Sequence, residues 1–373
     1  MINQSTRINL ALDPLTRART PLVIIMAGGT GGHVFPALAV AEVLVDAGCR
    51  ILWIGGRAGM EAQLVPRHGH EMAWIAFSGL RGRGLVPKLL LPARLLLAFW
   101  QALIILLRER PAAVIGFGGY ISFPGGMMAA LLRRRLLVHE QNAIAGMANR
   151  VLARLADTVL TAFPEVLPRA VWVGNPVRAD IVRLPEPALR LAGRAGPLRV
   201  LVVGGSLGAR VCIEVVPQAL AQIPAAVRPA LVHQSGRGHI AALRAAYAAA
   251  GVEATSLEFI DDMAGAYAAA DLVICRAGAS TVTEVACAGV AAIFVPYPSA
   301  VDDHQTANAR FLADHQAAIL LPQAQLSAAK LAQTLAVLSR SDCLEMAARA
   351  RARARPEAAA VVARACLDCV EQA

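Results

Sequence analysis

The stretch PLVIIMAGGTGGH, Pro21 to His33, decides the fold. Leu22 to Met26 is an apolar run with the length of one buried strand. It stops at Gly28, Gly29, Thr30, Gly31 and Gly32. A helix-periodic segment follows, carrying Phe35, Leu38, Ala39, Val40, Val43 and Leu44. Strand, glycine turn and helix in that order open a doubly wound α/β unit. Glycine lets the chain turn tightly and leaves backbone N–H groups to converge on an anion. A βα turn that holds no ligand has the same composition. The loop matches neither G-x-G-x-x-G nor G-x-x-x-x-G-K-S/T, so it carries neither nucleotide fingerprint. His33, beside the glycines, has a pKa range suited to proton transfer.

The device occurs twice. Leu198 to Val203 is apolar and runs into Gly204, Gly205, Ser206, Leu207, Gly208 and Ala209. Before it lies 184–197, rich in proline and glycine and poor in strand pattern. Two such starts separated by such a break predict two doubly wound parallel-sheet domains rather than one long sheet. The expected units are 1–20, a loose extension; 21–178; 179–355; and 356–373. Further strands are expected at Ile51–Ile54, Trp74–Phe77, Ala113–Phe117, Leu136–Val138, Thr158–Thr161 and Val171–Val173. In the second unit they are expected at Ala230–His233, Thr255–Phe259, Leu272–Cys275 and Ala291–Val295. The tail from Leu344 to Val370 reads as two helices kinked at Pro356. Its Arg349, Arg351, Arg353 and Arg355 spread around a helix as a solvated surface.

The chain of 373 residues is 57% hydrophobic and only 17% charged. That allows a large core and an amphiphilic surface besides. The formal net charge of +10 sits wholly in residues 1–178, which hold 19 Lys/Arg against 9 Asp/Glu; the remainder holds 17 of each. The first half therefore meets an anionic partner: a membrane surface, a phosphorylated substrate or nucleic acid. Nucleic acid is the weakest of the three, since no helix-turn-helix pattern, zinc spacing or Arg/aromatic strip is present. Seven scattered cysteines in apolar settings fit a reducing compartment and no disulfide framework. Cys366 and Cys369 form a lone C-x-x-C inside a helical pattern and read as structural. Residues 1–20 hold no apolar run of the signal-peptide kind.

From Gly79 to Arg94, basic Arg81, Arg83, Lys88 and Arg94 interleave with apolar residues, as on a surface that rests on anionic lipid headgroups. Leu95 to Leu107 follows, almost wholly apolar. It is shorter than a membrane span, which takes about 17–25 residues, and reads as a helix buried against the sheet.

The chemistry gathers where apolar runs end. Gly118, Gly119 and Tyr120 form a second glycine turn after Ala113–Phe117. Together with the first it makes a crevice that embraces phosphates. His139, Glu140, Gln141 and Asn142 close the next run. In the second unit Ala279, Ser280 and Thr281 open a helix whose free N–H groups favour a phosphate. Glu284 lies one turn further in, where a carboxylate can accept both hydroxyls of a ribose. Thr281 and Glu284 are equally spaced as a capping box.

These segments resemble glycosyltransferase family 28. The matching stretches are GGTGGHVFPALA (28–39), GFGGY (116–120), HEQNAIAG (139–146), VGNPVR (173–178) and GGSLGAR (204–210). HQSG (233–236), FIDDM (259–263), RAGASTVTE (276–284) and DDHQTANA (302–309) complete the set. They cover roughly residues 21–340. The similarity implies a GT-B fold, two Rossmann-like domains facing across a cleft, with the last helix crossing back to the first. It implies inverting transfer of GlcNAc from UDP-GlcNAc to undecaprenyl-pyrophosphoryl-MurNAc-pentapeptide (lipid I), with lipid II as product. It places the enzyme peripherally at the cytoplasmic face of the bacterial inner membrane, among other cell-wall synthesis proteins.

The resemblance also implies roles. Ile260 meets the uracil and Glu284 the ribose. Ser206, Ala279, Ser280 and Thr281 lie near the donor phosphates. His304, Gln305 and Asn308 read the sugar hydroxyls, and Asn142 and Arg178 are polar groups of the cleft on the donor side, with Thr30, Gly31 and Gly32. Gly28, Gly29, Gly118, Gly119, Tyr120, His139 and Glu140 belong to the acceptor side, and His33 is the general base. Relatives commonly carry glutamine at the positions of Leu207 and His304, so donor contacts there differ in this chain. Asp261–Asp262 and Asp302–Asp303 are adjacent pairs whose side chains diverge, so neither metal nor cofactor is expected.

Overall fold

The computed structural model describes residues 20–77, 90–205 and 208–372. It contains two parallel sheets. The first comprises β1 (Leu22–Met26), β2 (Arg50–Gly55), β3 (Glu71–Trp74), β4 (Ala113–Gly116), β5 (Arg135–Glu140), β6 (Thr158–Thr161) and β7 (Val171–Trp172). Their spatial order is β3-β2-β1-β4-β5-β6-β7. The second comprises β8 (Arg199–Val203), β9 (Ala230–Gln234), β10 (Thr255–Leu257), β11 (Leu272–Cys275), β12 (Ala291–Phe294) and β13 (Ile319–Leu320). Their order is β10-β9-β8-β11-β12-β13. Both are doubly wound, and strand order reverses between β1 and β4 and between β8 and β11. Ligand crevices of such sheets open there, beyond the carboxyl ends of the strands.

Alternation along β1 shows why helices cover both faces. Val23 and Ile25 pack with helix Gly31–Asp46 and the last helix, Ala358–Glu371, through Val34, Leu38, Val362 and Cys366. Ile24 and Met26 pack on the opposite side with Leu106, Ile121 and Ala129. The last helix thus lies on the first sheet's unit, although the chain enters it from the second. All seven cysteines are buried and free.

Three expectations change. β3 starts earlier than Trp74–Phe77. It pairs with β2 through Gly55↔Trp74, where β2 ends, so a strand running on from Trp74 would have no partner.

The apolar helix is longer than expected, Leu91–Glu109, and is not buried. Only its small stripe of Ala98, Ala102 and Leu106 is covered. Leu96 (69% exposed) and Trp100 (60%) face outward with Leu97, Ile104 and Leu107. Helix Ser122–Leu131 takes up one stripe of a helix whose only polar line is Arg94, Gln101 and Arg108.

The tail arginines, finally, are only partly a solvated surface: Arg349 and Arg355 are exposed, but Arg351 and Arg353 are half-buried. The chain passes between the two units at 353–357, and there Arg353 stacks 4.5 Å from the Phe311 ring centroid and Arg355 4.1 Å from that of Trp172. Arg351 donates to the Val182 carbonyl and pairs with Glu186. Gly174 passes so close beneath that a Cβ there would lie 2.3 Å from Arg355 Cβ.

Candidate active site

The first glycine loop leaves β1 with Gly29 in the left-handed region (φ 89°) and enters its helix at Gly31. The second leaves β4 with Gly118 and Gly119 also at positive φ. The two loops touch: a Cβ on Gly119 would stand 2.7 Å from the Gly28 carbonyl oxygen. Ser122 Oγ, fully buried, lies 2.6 Å from the Gly118 carbonyl and 2.9 Å from that of Met26, joining both strand ends. The Tyr120 ring lies over Gly29.

His33 stands at this junction. Its Nδ1 is 3.2 Å from the Gly28 carbonyl and 3.3 Å from Thr30 Oγ1. A carbonyl only accepts, so Nδ1 carries the proton and Nε2 is left bare in the neutral ring. Burial pushes the His33 pKa below the ordinary histidine range. Glu140, the Gly28 carbonyl and Glu61 pull it upward, while His304, from the other unit, adds to the downward push.

Glu61 carried no signal beyond an acid at the start of a short helix, and sequence reasoning passed over it. It is fully buried. Its Oε2 accepts from the Gly29 N–H (2.9 Å) and its Oε1 from the Gly56 N–H (3.1 Å). One N–H of the first glycine loop is therefore spent on a carboxylate of the protein.

His139 and Glu140 lie beneath the surface of the crevice. The His139 ring is fully buried, with Nε2 2.9 Å from the Gly174 carbonyl and Nδ1 2.9 Å from Gln141 Nε2. Burial lowers its pKa to about 4, so it is neutral. Glu140 accepts from the N–H groups of Asn142 (2.9 Å) and Gly146 (3.0 Å) and from Asn149 Nδ2 (2.9 Å). It shapes the loop from Gln141 to Gly146 from within.

Across the cleft, helix Ala279–Ala288 starts at the β11 switch with Gly278 as its N-cap. Thr281 and Glu284 form no capping box. Glu284 instead points inward, where Tyr267 donates to it (3.1 Å) and Arg178 Nη2 lies 3.4 Å away. Burial raises its pKa, and Arg178 and Tyr267 oppose the rise. Ser280 Oγ, at the helix start, is buried without a hydrogen-bond partner. Ile260 is buried ahead of helix Met263–Ala269, whose N-cap Asp262 accepts from the Gly265 N–H.

Helix His304–Ala313 carries the remaining candidates. Gln305 Oε1 accepts from the Tyr297 N–H (2.9 Å). Asn308 is fully buried and spans the units: its Oδ1 accepts from the Ala143 N–H (2.8 Å), and its Nδ2 donates to the Ala277 carbonyl (3.1 Å) and Asn142 Oδ1 (3.3 Å). Asn175 to Thr283 (3.1 Å) is a second crossing. The sequence motifs contained both partners but not their pairing.

Arg94 lies part-buried in the first turn of the exposed apolar helix. Arg81, Arg83, Lys88 and Ser206 lie outside the described residues, as does Leu207. Among the described residues no three His, Cys, Asp or Glu side chains converge as a metal site would require.

Known proteins match this chain over more than nine-tenths of its length. Residues 23–161 match the glycosyltransferase family 28 N-terminal domain and residues 199–362 the glycosyltransferase family 28 C-terminal domain. A protein of Ralstonia nicotianae named UDP-N-acetylglucosamine–N-acetylmuramyl-(pentapeptide) pyrophosphoryl-undecaprenol N-acetylglucosamine transferase is 60% identical over 348 residues, 92% of this chain and 95% of its own. One of the same name from an Azoarcus species is 61% identical, over 94% and 98%. The crystal structure of Acinetobacter baumannii MurG superposes with a TM-score of 0.82 at 44% identity, covering 93% of this chain and 99% of that one. The calicheamicin glycosyltransferase CalG4, at 17% identity and TM-score 0.66, shares the fold. With both halves matched, and near-complete relatives at this identity, the chain belongs to glycosyltransferase family 28.

Proposed function

We propose that the protein transfers GlcNAc from UDP-GlcNAc to the C4 hydroxyl of the MurNAc of lipid I, forming the β(1→4) link of lipid II. The near-full-length identity to relatives named for this transfer carries the reading. The cleft suits the chemistry. The hydroxyl oxygen attacks the anomeric carbon from the face opposite UDP, the C–O bond to UDP breaks with its electron pair, and the configuration inverts. His33 Nε2 takes the hydroxyl proton. The N-terminus of helix Ala279–Ala288 faces the charge that develops on UDP, and the unpartnered Ser280 hydroxyl is available to it. Glu284 binds the ribose once Arg178 yields, and Ile260 borders the uracil. His304 and Gln305 read the sugar, whereas Asn308, expected to join them, is buried and holds their helix to the first unit. The loops at Gly28–Gly29 and Gly118–Tyr120 receive the lipid-linked acceptor.

The acceptor is held in a bilayer, so the enzyme must meet one. The exposed stripe of Leu96, Leu97, Trp100, Ile104 and Leu107, on the same unit as the basic excess, is the docking face in this reading. It seats the protein peripherally at the cytoplasmic face of the inner membrane. The test is transfer of labelled GlcNAc to synthetic lipid I, beside analogues with other lipid-linked sugars. Lipid II as the product supports the reading, and label appearing only on another acceptor refutes it.

A further inference from the structure

A buried carboxylate beside a histidine needs an explanation, because burying a charge is costly unless it is hydrogen-bonded. The Glu61 side chain occupies a space that glycines leave open. A Cβ on Gly28 would lie 2.5 Å from its Oε1, one on Gly55 2.9 Å from its Cγ, and one on Gly59 2.0 Å from its Oε2. Helix-dipole complementation alone would not require burial, since an acid in the first turn serves that purpose at the surface.

The two hydrogen bonds at the first loop share one peptide group. Glu61 Oε2 accepts from the Gly29 N–H, and the carbonyl of that same peptide unit, Gly28 C=O, accepts from His33 Nδ1. From these contacts we infer that Glu61 is a positioning residue for His33, acting through the Gly28–Gly29 peptide as a carboxylate–peptide–imidazole relay. The carboxylate draws on the N–H and so makes the carbonyl a stronger acceptor, as in any polarised chain of hydrogen bonds. The stronger acceptor keeps the proton on Nδ1, keeps Nε2 unprotonated, and favours the imidazolium formed when Nε2 takes the acceptor's proton. The inference rests on the proposal that His33 is the base.

Three charged or titratable groups face His33: Glu140 from the end of β5, Glu61 from helix Glu61–Arg67, and His304 from the opposite unit. Glu140 is held by its own donors in the loop that follows β5. Glu61 alone of the three is joined to His33 through a shared peptide.

The test starts with the unaltered full-length protein. Imidazole ¹⁵N NMR, with His33 assigned by comparison with H33Q, should show a single Nδ1–H tautomer; an Nε2–H tautomer overturns the relay. This readout is independent of the acceptor and of whether His33 is the base. E61Q, nearly isosteric, should then mix the tautomers. It should lower kcat by about ten- to a hundredfold, less than the ~10²–10⁴ a base itself contributes, and leave the KM for UDP-GlcNAc within about twofold. The sign of the pH effect is fixed. The Glu61 charge favours protonated His33, so its removal lowers the His33 pKa and moves the acid limb of kcat/KM to lower pH. General loosening of the loop would lower activity without moving that limb. An E61Q enzyme with an unmoved limb and an unchanged tautomer overturns the proposal. If instead the tautomer result holds and H33A still transfers at the full rate, the relay stands and the base assignment falls.

Discussion

Two helices begin at switch points of the two sheets, Gly31–Asp46 after β1 and Ala279–Ala288 after β11, and their surroundings differ in one respect that matters. Beneath the loop ahead of the first lies the buried carboxylate of Glu61, with Glu140 also near His33. The second carries its own acid, Glu284, one turn in and paired with Tyr267 and Arg178, and its hydroxyl at Ser280 has no partner. Acids around the first N-terminus suit holding and moving a proton. The second keeps its acid a turn away from the helix start, which leaves the dipole there for phosphate. The fold repeats, but the acid sits at the loop in one unit and a turn inside the helix in the other.

The sharpest way to break this comparison is to remove one side chain from each site. H33A should lower kcat by about 10²–10⁴ and leave UDP affinity intact. E284A should weaken UDP binding by about 2–5 kcal/mol, because it removes the carboxylate that accepts from the ribose in the proposed complex. Steady-state kinetics with titration calorimetry of UDP separates the two. A large loss of UDP affinity in H33A, or an unchanged one in E284A, would mean that the division is wrong.

The outer surfaces contrast in the same way. Large exposed apolar residues of the second sheet's unit, such as Val227, Phe259 and Val337, are scattered, whereas in the first unit five line one helix. If that stripe enters lipid, each fully buried side chain contributes about 1.5–3 kcal/mol. L97E/W100E should then abolish sedimentation with anionic vesicles while transfer to a short-chain soluble lipid I analogue persists. Reversal of Arg81, Arg83, Lys88 and Arg94 to glutamate should weaken the same binding at about 1 kcal/mol per residue, in a salt-dependent way. Vesicle binding untouched by both sets would remove the docking face.

The doubly wound fold was legible because it rests on local pattern. An apolar run, a glycine turn and an amphipathic helix each fit in a dozen residues, and their repetition after the break at 184–197 marks the second unit. Strand ends likewise marked the site, since switch-point loops follow from topology. What escaped was set by tertiary neighbours. β13 is two residues long and exists only as a partner of β12. The burial of helix Leu91–Glu109 could not be read from its sequence, because apolar residues on both flanks of the Arg94–Gln101–Arg108 line do not say which side lacks a neighbour. Glu61 looked like an ordinary helix-opening acid; its place under the loop depends on glycines at 28, 55 and 59 coming together. The tail arginines showed a spacing of two and nothing of the rings they cover.

Those rings set the smallest test, at the joint between the domains. Trp172 and Phe311 meet edge to face with centroids 6.1 Å apart, and Arg355 and Arg353 each cover one of them. A cation over a partly desolvated ring is worth about 0.5–2 kcal/mol, so R355A should lower urea stability by that amount. R355K keeps the charge but loses the flat guanidinium face, and should fall between the two. The joint lies at the passages between units, beside Gly174 and against Thr283 and Cys287 of the helix that carries Glu284. If it serves only to fasten the last helix to the first domain, kcat stays at the parent value in both variants. A fall in kcat larger than the loss of stability would instead mean that the stacked arginines set how the two unlike helix starts are brought face to face.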